Sequence, residues 1–456
     1  MDERHPDSTA QLRHWVYTFT IAVSTAVMVG HIFAVRSRDG NTPFLSANDA
    51  SRWSTARALV EQGTYAIDGV TGDQGWDTID KVRHVGRDGQ LHYYSSKPPL
   101  LATVVAAQYW LITTVTSATF DGHPFVVART ILIVTNVIPL LLYLVLLAKV
   151  VERWGETDWG RVIVVIAAAW GTFLTTFAVT LNNHLIASVA AFLAVYAAIR
   201  IWFDGARQWW LFGATGLCAG LAAANELPAL SLTAVLGAAL LWKSPLQTAR
   251  AFVPAAALVA AAFFGTNYAA HGTWNPPYAQ HGVAGGWYDY PDSHWSALRL
   301  PAADRPKRDD LQGVDTGEPS RAVYAFHVLV GHHGIFSLTP ILLLVPLGIW
   351  LHWKRTVRVE LAVMVAALSL IVLAFYLGRP QADRNYGGMT SGFRWMFWLT
   401  PLWLLVMVPA ADWMANSRRA RIAVFVLLAL SVMSVSVPAL NPWQHPWPYQ
   451  LWRALP

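Results

Sequence analysis

The sequence predicts an all-α polytopic membrane protein, and three observations carry the prediction. Hydrophobic residues make up 55% of the 456-residue chain and charged residues 13%, with a mean hydropathy of +0.37, an apolar excess beyond what a soluble domain carries. The apolar residues fall in runs of about 15–24, the length scale of a bilayer crossing. Lys and Arg collect in alternate short loops between those runs, the bias that orients membrane helices.

In chain order the runs lie near residues 15–35, 126–148, 162–180, 185–203, 209–225, 228–242, 251–270, 335–351, 360–378, 395–411 and 421–438. The opening MDERHPDSTAQLRHW has no small-residue cleavage site and reads as the start of an uncleaved first helix. A further run, Pro98–Phe120, is also long enough to cross. Charge decides against it. If it stays on one side and the N-terminus is cytoplasmic, the inside loops carry Lys149, Arg153 and Arg161; Arg200 and Arg207; Lys243 and Arg250; Lys354, Arg355 and Arg358; and Arg418, Arg419 and Arg421. The turns at Leu181–His184 and Asn225–Pro228 carry no Lys or Arg. If it crossed, every one of those basic loops would face outward. The expectation is therefore eleven spans in one membrane domain over 1–456, with 98–120 a juxtamembrane helix. Two large extracytoplasmic segments follow, 36–125 and 271–334, with a third loop at 379–394. The net charge of +6 is dispersed and forms no stripe for nucleic acid. The single cysteine, Cys218, excludes an intrachain disulfide.

Polar chemistry gathers on that outer face. "SANDASRW" sets Asp49 three residues before Arg52 at the head of a short amphipathic helix, where Asp49 reads either as a helix cap or as a functional acid. "HYYSSKPPLL" sets Lys97 before two prolines. Lysine at an interface is commonly a snorkelling anchor, but Pro98-Pro99 fix its backbone where a helix starts. His184 ends the turn Asn182-Asn183-His184, and Glu226 stands before Pro228, where a carboxylate reaching the apolar region costs about 2–3 kcal/mol. Adjacent His332 and His333 make a poor metal pair on one helix face. Arg379, Arg384 and Arg394 crowd one outer loop against the charge bias, which favours an anion site because guanidinium chelates phosphate as a planar fork. Trp274, Tyr278, His281, Trp287 and Tyr288 give the second segment aromatic faces suited to sugars or to the membrane surface. No Walker lysine and no GxGxxG after a strand is present.

This order of features resembles the membrane-embedded GT-C glycosyltransferases with lipid-linked donors, in the branch of protein O-mannosyltransferases and aminoarabinose transferases. The residues that carry it are Asp49 with Arg52, then Tyr94, Lys97, Pro98 and Pro99; the turn at 182–184 and Gly392-Phe393-Arg394 are weaker echoes. The resemblance implies that Asp49 is the catalytic base and that Lys97 and Tyr94 contact the donor phosphate. The chain departs from it in three places. Asn48-Asp49 stands where many relatives have paired acids. Ser96 stands where the aminoarabinose enzymes carry an acid implicated in metal binding, so a divalent metal is left open and no ligand is assigned. The chain ends at WRALP, without the soluble C-terminal domain of some relatives.

The expected function is transfer of a sugar from a polyprenyl-phosphate donor, by an enzyme of the inner membrane, to a protein, lipid or glycan acceptor on the outer face. Lys97, Tyr94, Arg52, Arg394 and Arg379 would bind donor phosphate. His184, Glu226, Trp274, Tyr278, His281 and His333 would line the acceptor or sugar side. The alternative is a lipid or solute transporter or flippase, whose inverted repeats and paired broken helices the sequence does not display. An O-antigen-ligase type enzyme would lack the early acid and the Lys-Pro-Pro loop.

Overall fold

The computed structural model describes residues 7–297 and 317–454. They form an all-α, polytopic helical protein, and the sole sheet among the described residues is one two-stranded hairpin. Among the described residues eight helices are long and apolar enough to cross a membrane, and a bent pair, Arg394–Val406 with Val408–Met414, makes a ninth if it is counted as one span. The 50° bend of that pair falls just before Pro409, whose ring and missing N–H break a helix. Three expected runs form shorter helices: Trp209–Asn225 has 17 residues, Leu230–Lys243 has 14 and Leu344–Arg355 has 12. Two of these are shortened at a proline, since Pro228 is the second residue, and Pro340 the first, of a 3-10 turn ahead of the helix.

Helix α1 (Asp7–Ala34) and the long helix Pro124–Trp154 run antiparallel. Arg129 donates to the carbonyls of Ile32 and Phe33 at 3.3 and 2.6 Å, while Arg13 and Tyr17 bind Glu152 at the other extreme. Residues 35–123 therefore leave the bundle and return to it at the same end. Within them, α2 (Ala47–Glu61) packs along α3 (Pro99–Thr116). Tyr109 of α3 donates to Glu61 at 2.5 Å, and Phe120 meets Phe44, Trp53 and Trp76 edge-on. By length and hydropathy α3 equals a span; it packs on α2 and on the helix Val253–His271, and Gln108 bonds Thr135 of the helix Pro124–Trp154 at 3.1 Å.

The basic loops meet at the opposite end. Arg153 pairs with Asp204 and Arg355 with Glu156, Arg358 lies over Trp154, Arg207 reaches Ser244, and Lys243 reaches Trp202. The same loops that charge alone groups together are thus neighbours in space. A labelling experiment assigns the sides. With Cys218 replaced by Ala, a cysteine at Asp121, whose side chain is 86% exposed, should react with an impermeant thiol reagent applied to intact cells. Labelling only after permeabilisation would invert the expected orientation.

The hairpin joins the two large segments at the site end. Strand β1 (Lys81–Val85) pairs antiparallel with β2 (Leu91–Ser95) across a turn in which Gly89 takes φ +80°. Residues 277–297 dock on it: the Arg83 N–H donates to Trp287 O at 2.8 Å, and Tyr290 Oη donates to Lys81 O at 3.3 Å. Residues 298–316 of the second segment lie outside the described residues.

Candidate functional site

Two local structures set the first half of the site. Ser46 caps α2 and Asp49 is its third helical residue, and the two bond reciprocally as a capping box. The Asp49 carboxylate accepts from the N–H groups of Leu45, Ser46 and Ala50 at 3.0, 2.8 and 2.9 Å. It also accepts from the hydroxyls of Ser46 and Thr180 at 3.0 and 2.8 Å. Burial raises its pKa while these donors pull it down. The side chain is wholly buried, so neither oxygen faces open space, and the geometry fills the capping reading of Asp49.

Lys97 is held by a carboxylate of its own loop. Pro98 is extended and Pro99 opens α3, which turns the ammonium inward onto Asp80 Oδ2 at 2.7 Å. Ser96 Oγ donates to Asp80 Oδ1 at 2.9 Å, and Ser51 Oγ donates to Asp80 O at 2.7 Å. Burial alone would raise the pKa of Asp80; Lys97, Ser96 and Arg52 instead keep it below the usual carboxylate range.

The second half comes from four distant segments. Arg52, one turn from Asn48, donates to the Asn48 carbonyl at 2.9 Å and to its side-chain oxygen, and to Asn183 Oδ1 at 2.6 Å. Burial lowers its pKa to about 10 against the pull of Asp80, Asp49 and Glu226. Asn183 Nδ2 donates to Glu226 Oε1 at 2.8 Å, and His184 Nδ1 meets the same oxygen. His184 Nε2 faces Arg394 Nη1 at 2.6 Å. A guanidinium only donates, so Nε2 accepts and the imidazole proton sits on Nδ1, toward Glu226. Arg394 Nε and Nη2 donate to Gly387 O at 3.0 and 2.5 Å, and the guanidinium lies 4.8 Å over the Trp443 ring. A continuous hydrogen-bonded chain therefore runs Arg52–Asn183–Glu226–His184–Arg394. Among the described residues neither arginine forms an ion pair of its own, although both are buried. Buried guanidiniums whose hydrogen bonds go only to amides, two carbonyls and an imidazole suit an anion. Burial pushes the pKa of Glu226 up to about 8, with Arg394 and Arg52 pulling against it.

The turn that presents this chain is built from below. A π-bulge at Ile133–Val137 places Asn136, which donates to the carbonyls of Ala178 and Thr180 at 2.9 and 3.0 Å. Asn182 caps the helix Asn183–Trp202, accepting from Leu185 N at 2.9 Å.

Lys97, Arg52, His184, Glu226 and Arg394 are thus brought into one cluster. Other expected residues have different partners. Tyr94, expected on the donor phosphate, stacks at 4.2 Å on His84, because strand alternation turns its ring to the aromatic layer with Tyr288. Arg379 lies at the rim, its charge met by Asp383 at 2.9 Å, and His281 lies 3.6 Å from the same carboxylate. His333 is buried and stacked at 4.4 Å on Tyr386, and Trp274 is exposed and stacked on Tyr268 at 4.7 Å. Tyr278 is 40% exposed yet close enough to Glu226 that this carboxylate, after burial, raises its pKa. Sequence reading missed Asp80 as the partner of Lys97, and Asn183 as the bridge. It also missed Trp443, whose Nε1–H donates to Thr180 Oγ1 at 3.0 Å. No local signal links Trp443 to residues so far away. Among the described residues no three His, Cys, Asp or Glu side chains come together as metal ligands do.

No family model and no curated protein matches the chain. Among solved structures it is similar to the oligosaccharyltransferase of Archaeoglobus fulgidus in its apo form, with TM-score 0.46 and 13% identity over 94% of this chain and 56% of that one. The same archaeal protein in complex with Zn and sulfate gives TM-score 0.46 and 14% identity over 94% and 53%. The oligosaccharyltransferase AglB of that organism, in complex with an inhibitory peptide and a dolichol-phosphate, gives TM-score 0.45 and 13% identity over 94% and 56%. The chain spans about half the length of those proteins.

Proposed function

We propose that the chain is an inverting glycosyltransferase of the GT-C type that takes a hexosyl or pentosyl group from a polyprenyl-phosphate donor. The acceptor, a protein, lipid or glycan, would be met on the extracytoplasmic face of the cytoplasmic membrane, with 36–125 and 271–334 as the extracytoplasmic segments. The observation that supports this most is the convergence of Lys97, Arg52 and Arg394 around one buried cluster at one end of the bundle. A lipid phosphate whose chain is in the bilayer would approach such a bundle at one end, and three cations can meet the charge that grows on it as the sugar leaves. Lys97 supplies the ammonium, shared with Asp80 until a phosphate competes for it. Arg394 and Arg52 supply N–H groups left over from their amide, carbonyl and imidazole partners. Asp49, expected as the base, is assigned instead to clamping the start of α2 beneath the cluster. Tyr278 stands on the acceptor side of Glu226.

The test is binding of a polyprenyl phosphate to the purified protein in lipid nanodiscs. Arg394→Lys keeps the charge but cannot bridge His184 and Gly387 while offering a second fork. Affinity should fall about 10- to 100-fold, the loss of one charge-assisted pair worth ~1.5–3 kcal/mol. Wild-type protein that does not bind polyprenyl phosphate, or an Arg394→Lys variant that binds it equally well, would remove the phosphate from this cluster.

A further inference from the structure

We propose that Glu226 is the group that takes the proton from the acceptor, an assignment that rests on the transfer reaction proposed above. Three carboxylates lie within reach of Lys97, Arg52 and Arg394, and they differ in what their oxygens already hold. Asp49 has both oxygens filled by backbone and hydroxyl donors. Asp80 has Ser96 on one oxygen and Lys97 on the other. Glu226 takes both of its donors, Asn183 Nδ2 and His184 Nδ1, on Oε1. Among the described residues no hydrogen bond falls on Oε2. It is the one oxygen of the three acids that holds no donor at all, and so the one most open to a substrate hydroxyl.

The flanking groups orient it for that task. His184 and Asn183 fix Oε1, and each is tied onward to an arginine, so the carboxylate cannot rotate without breaking the whole chain. Glu226 follows Asn225, the last residue of its helix, and caps the 3-10 turn Leu227–Ala229, which contains Pro228, so its backbone is fixed on both sides. The groups facing it are Arg52, Arg394, His184, Tyr278 and Tyr376. Its raised pKa keeps the carboxylate a stronger base than a solvated glutamate, yet one that ionises near neutral pH.

The step balances as follows. The acceptor O–H gives its proton to Glu226 Oε2, and the oxygen lone pair forms the new bond to the anomeric carbon. The bond from that carbon to the phosphate oxygen breaks, and its electron pair leaves with the polyprenyl phosphate toward Lys97.

Glu226→Gln tests this with little disturbance, because the amide oxygen still accepts from both Asn183 and His184. The readouts are binding of undecaprenyl phosphate, and its release from undecaprenyl-phosphate mannose, glucose and arabinose offered in turn, with water as the acceptor O–H that takes the sugar. Wild type should show turnover that rises with pH and levels off above about 8, since the group must lose its proton to work. Glu226→Gln should bind undecaprenyl phosphate within about twofold of wild type, lose on the order of a hundredfold or more in turnover, and lose that pH dependence. Glu226→Asp, which retracts the same base, should keep the pH dependence at reduced turnover. Turnover within threefold of wild type in Glu226→Gln would overturn the assignment while leaving the transferase reading intact. Loss of undecaprenyl phosphate binding in step with turnover would also overturn it, making Glu226 a strut for the arginines. Wild type that binds no undecaprenyl phosphate defeats the transferase reading itself.

Discussion

Lys97→Ala should abolish measurable binding of polyprenyl phosphate and destabilise the protein at the same time. The ammonium is paired with Asp80 at 2.7 Å and both side chains are largely buried. Removing one partner of such a pair leaves an uncompensated charge, at a cost of about 3–5 kcal/mol. That structural loss must be separated from the loss of a ligand contact, and Asp80→Asn does so. In the double variant Lys97→Ala with Asp80→Asn no buried charge is stranded, because the amide can still accept from Ser96. Thermal stability should then recover most of what the single variant loses, while phosphate affinity stays at least about a hundredfold down, the worth of a charge-assisted contact near 3 kcal/mol. Recovery of both quantities in the double variant would make Lys97 a structural ion-pair partner with no role toward phosphate. The pair also sets a pH limit. The Asp80 pKa is depressed in the folded protein, so the stability it contributes is present above its unfolded value and is lost as pH falls through the folded one.

The second large effect is expected at Asp49, and its form separates a clamp from a base. Asn has nearly the same size but only one acceptor oxygen, and its NH2 would point at N–H groups that now donate to Oδ1 or Oδ2. At least two charge-assisted bonds are lost, each worth ~1.5–3 kcal/mol, so stability should fall by about 3 kcal/mol or more. Phosphate affinity and turnover should fall together, since Arg52 sits one turn along the helix that Asp49 begins. A base would behave otherwise. Asp49→Asn would then melt like wild type and bind donor normally while turnover alone collapsed, and that pattern would return Asp49 to the role the resemblance implies.

Much of the architecture was legible in the residues because it depends on properties that run along one dimension. A stretch of apolar residues long enough for a bilayer is a helix wherever it packs, since no lipid can satisfy its backbone. The basic loops fell at one end for the same reason: charge follows side, and side alternates with each crossing. The capping residues of α2 were also local, and "SANDASRW" offered both readings of Asp49 from the start. Lengths of the proline-opened helices and the hairpin at 81–95 were not foreseen; each depends on where a segment finds a partner.

The site divides along the same line. Sequence chemistry alone marked Lys97, Arg52, His184, Glu226 and Arg394, because cations before rigid prolines, acids in short turns and arginines on the wrong side of the charge bias are each costly unless used. Only the tertiary structure decided which of them meet. Arg394 and Arg379 look alike in one loop, yet one reaches across 210 residues to His184 and the other is met by Asp383 four residues away. Strand alternation turns Tyr94 to the aromatic layer, Asp80 meets Lys97 because the hairpin between them folds back, and Asn183 and Trp443 were gained only because segments far apart in sequence share one end of the bundle. Composition and spacing determine that a residue must be compensated; which partner compensates it is a matter of distance in three dimensions, and that is fixed by packing.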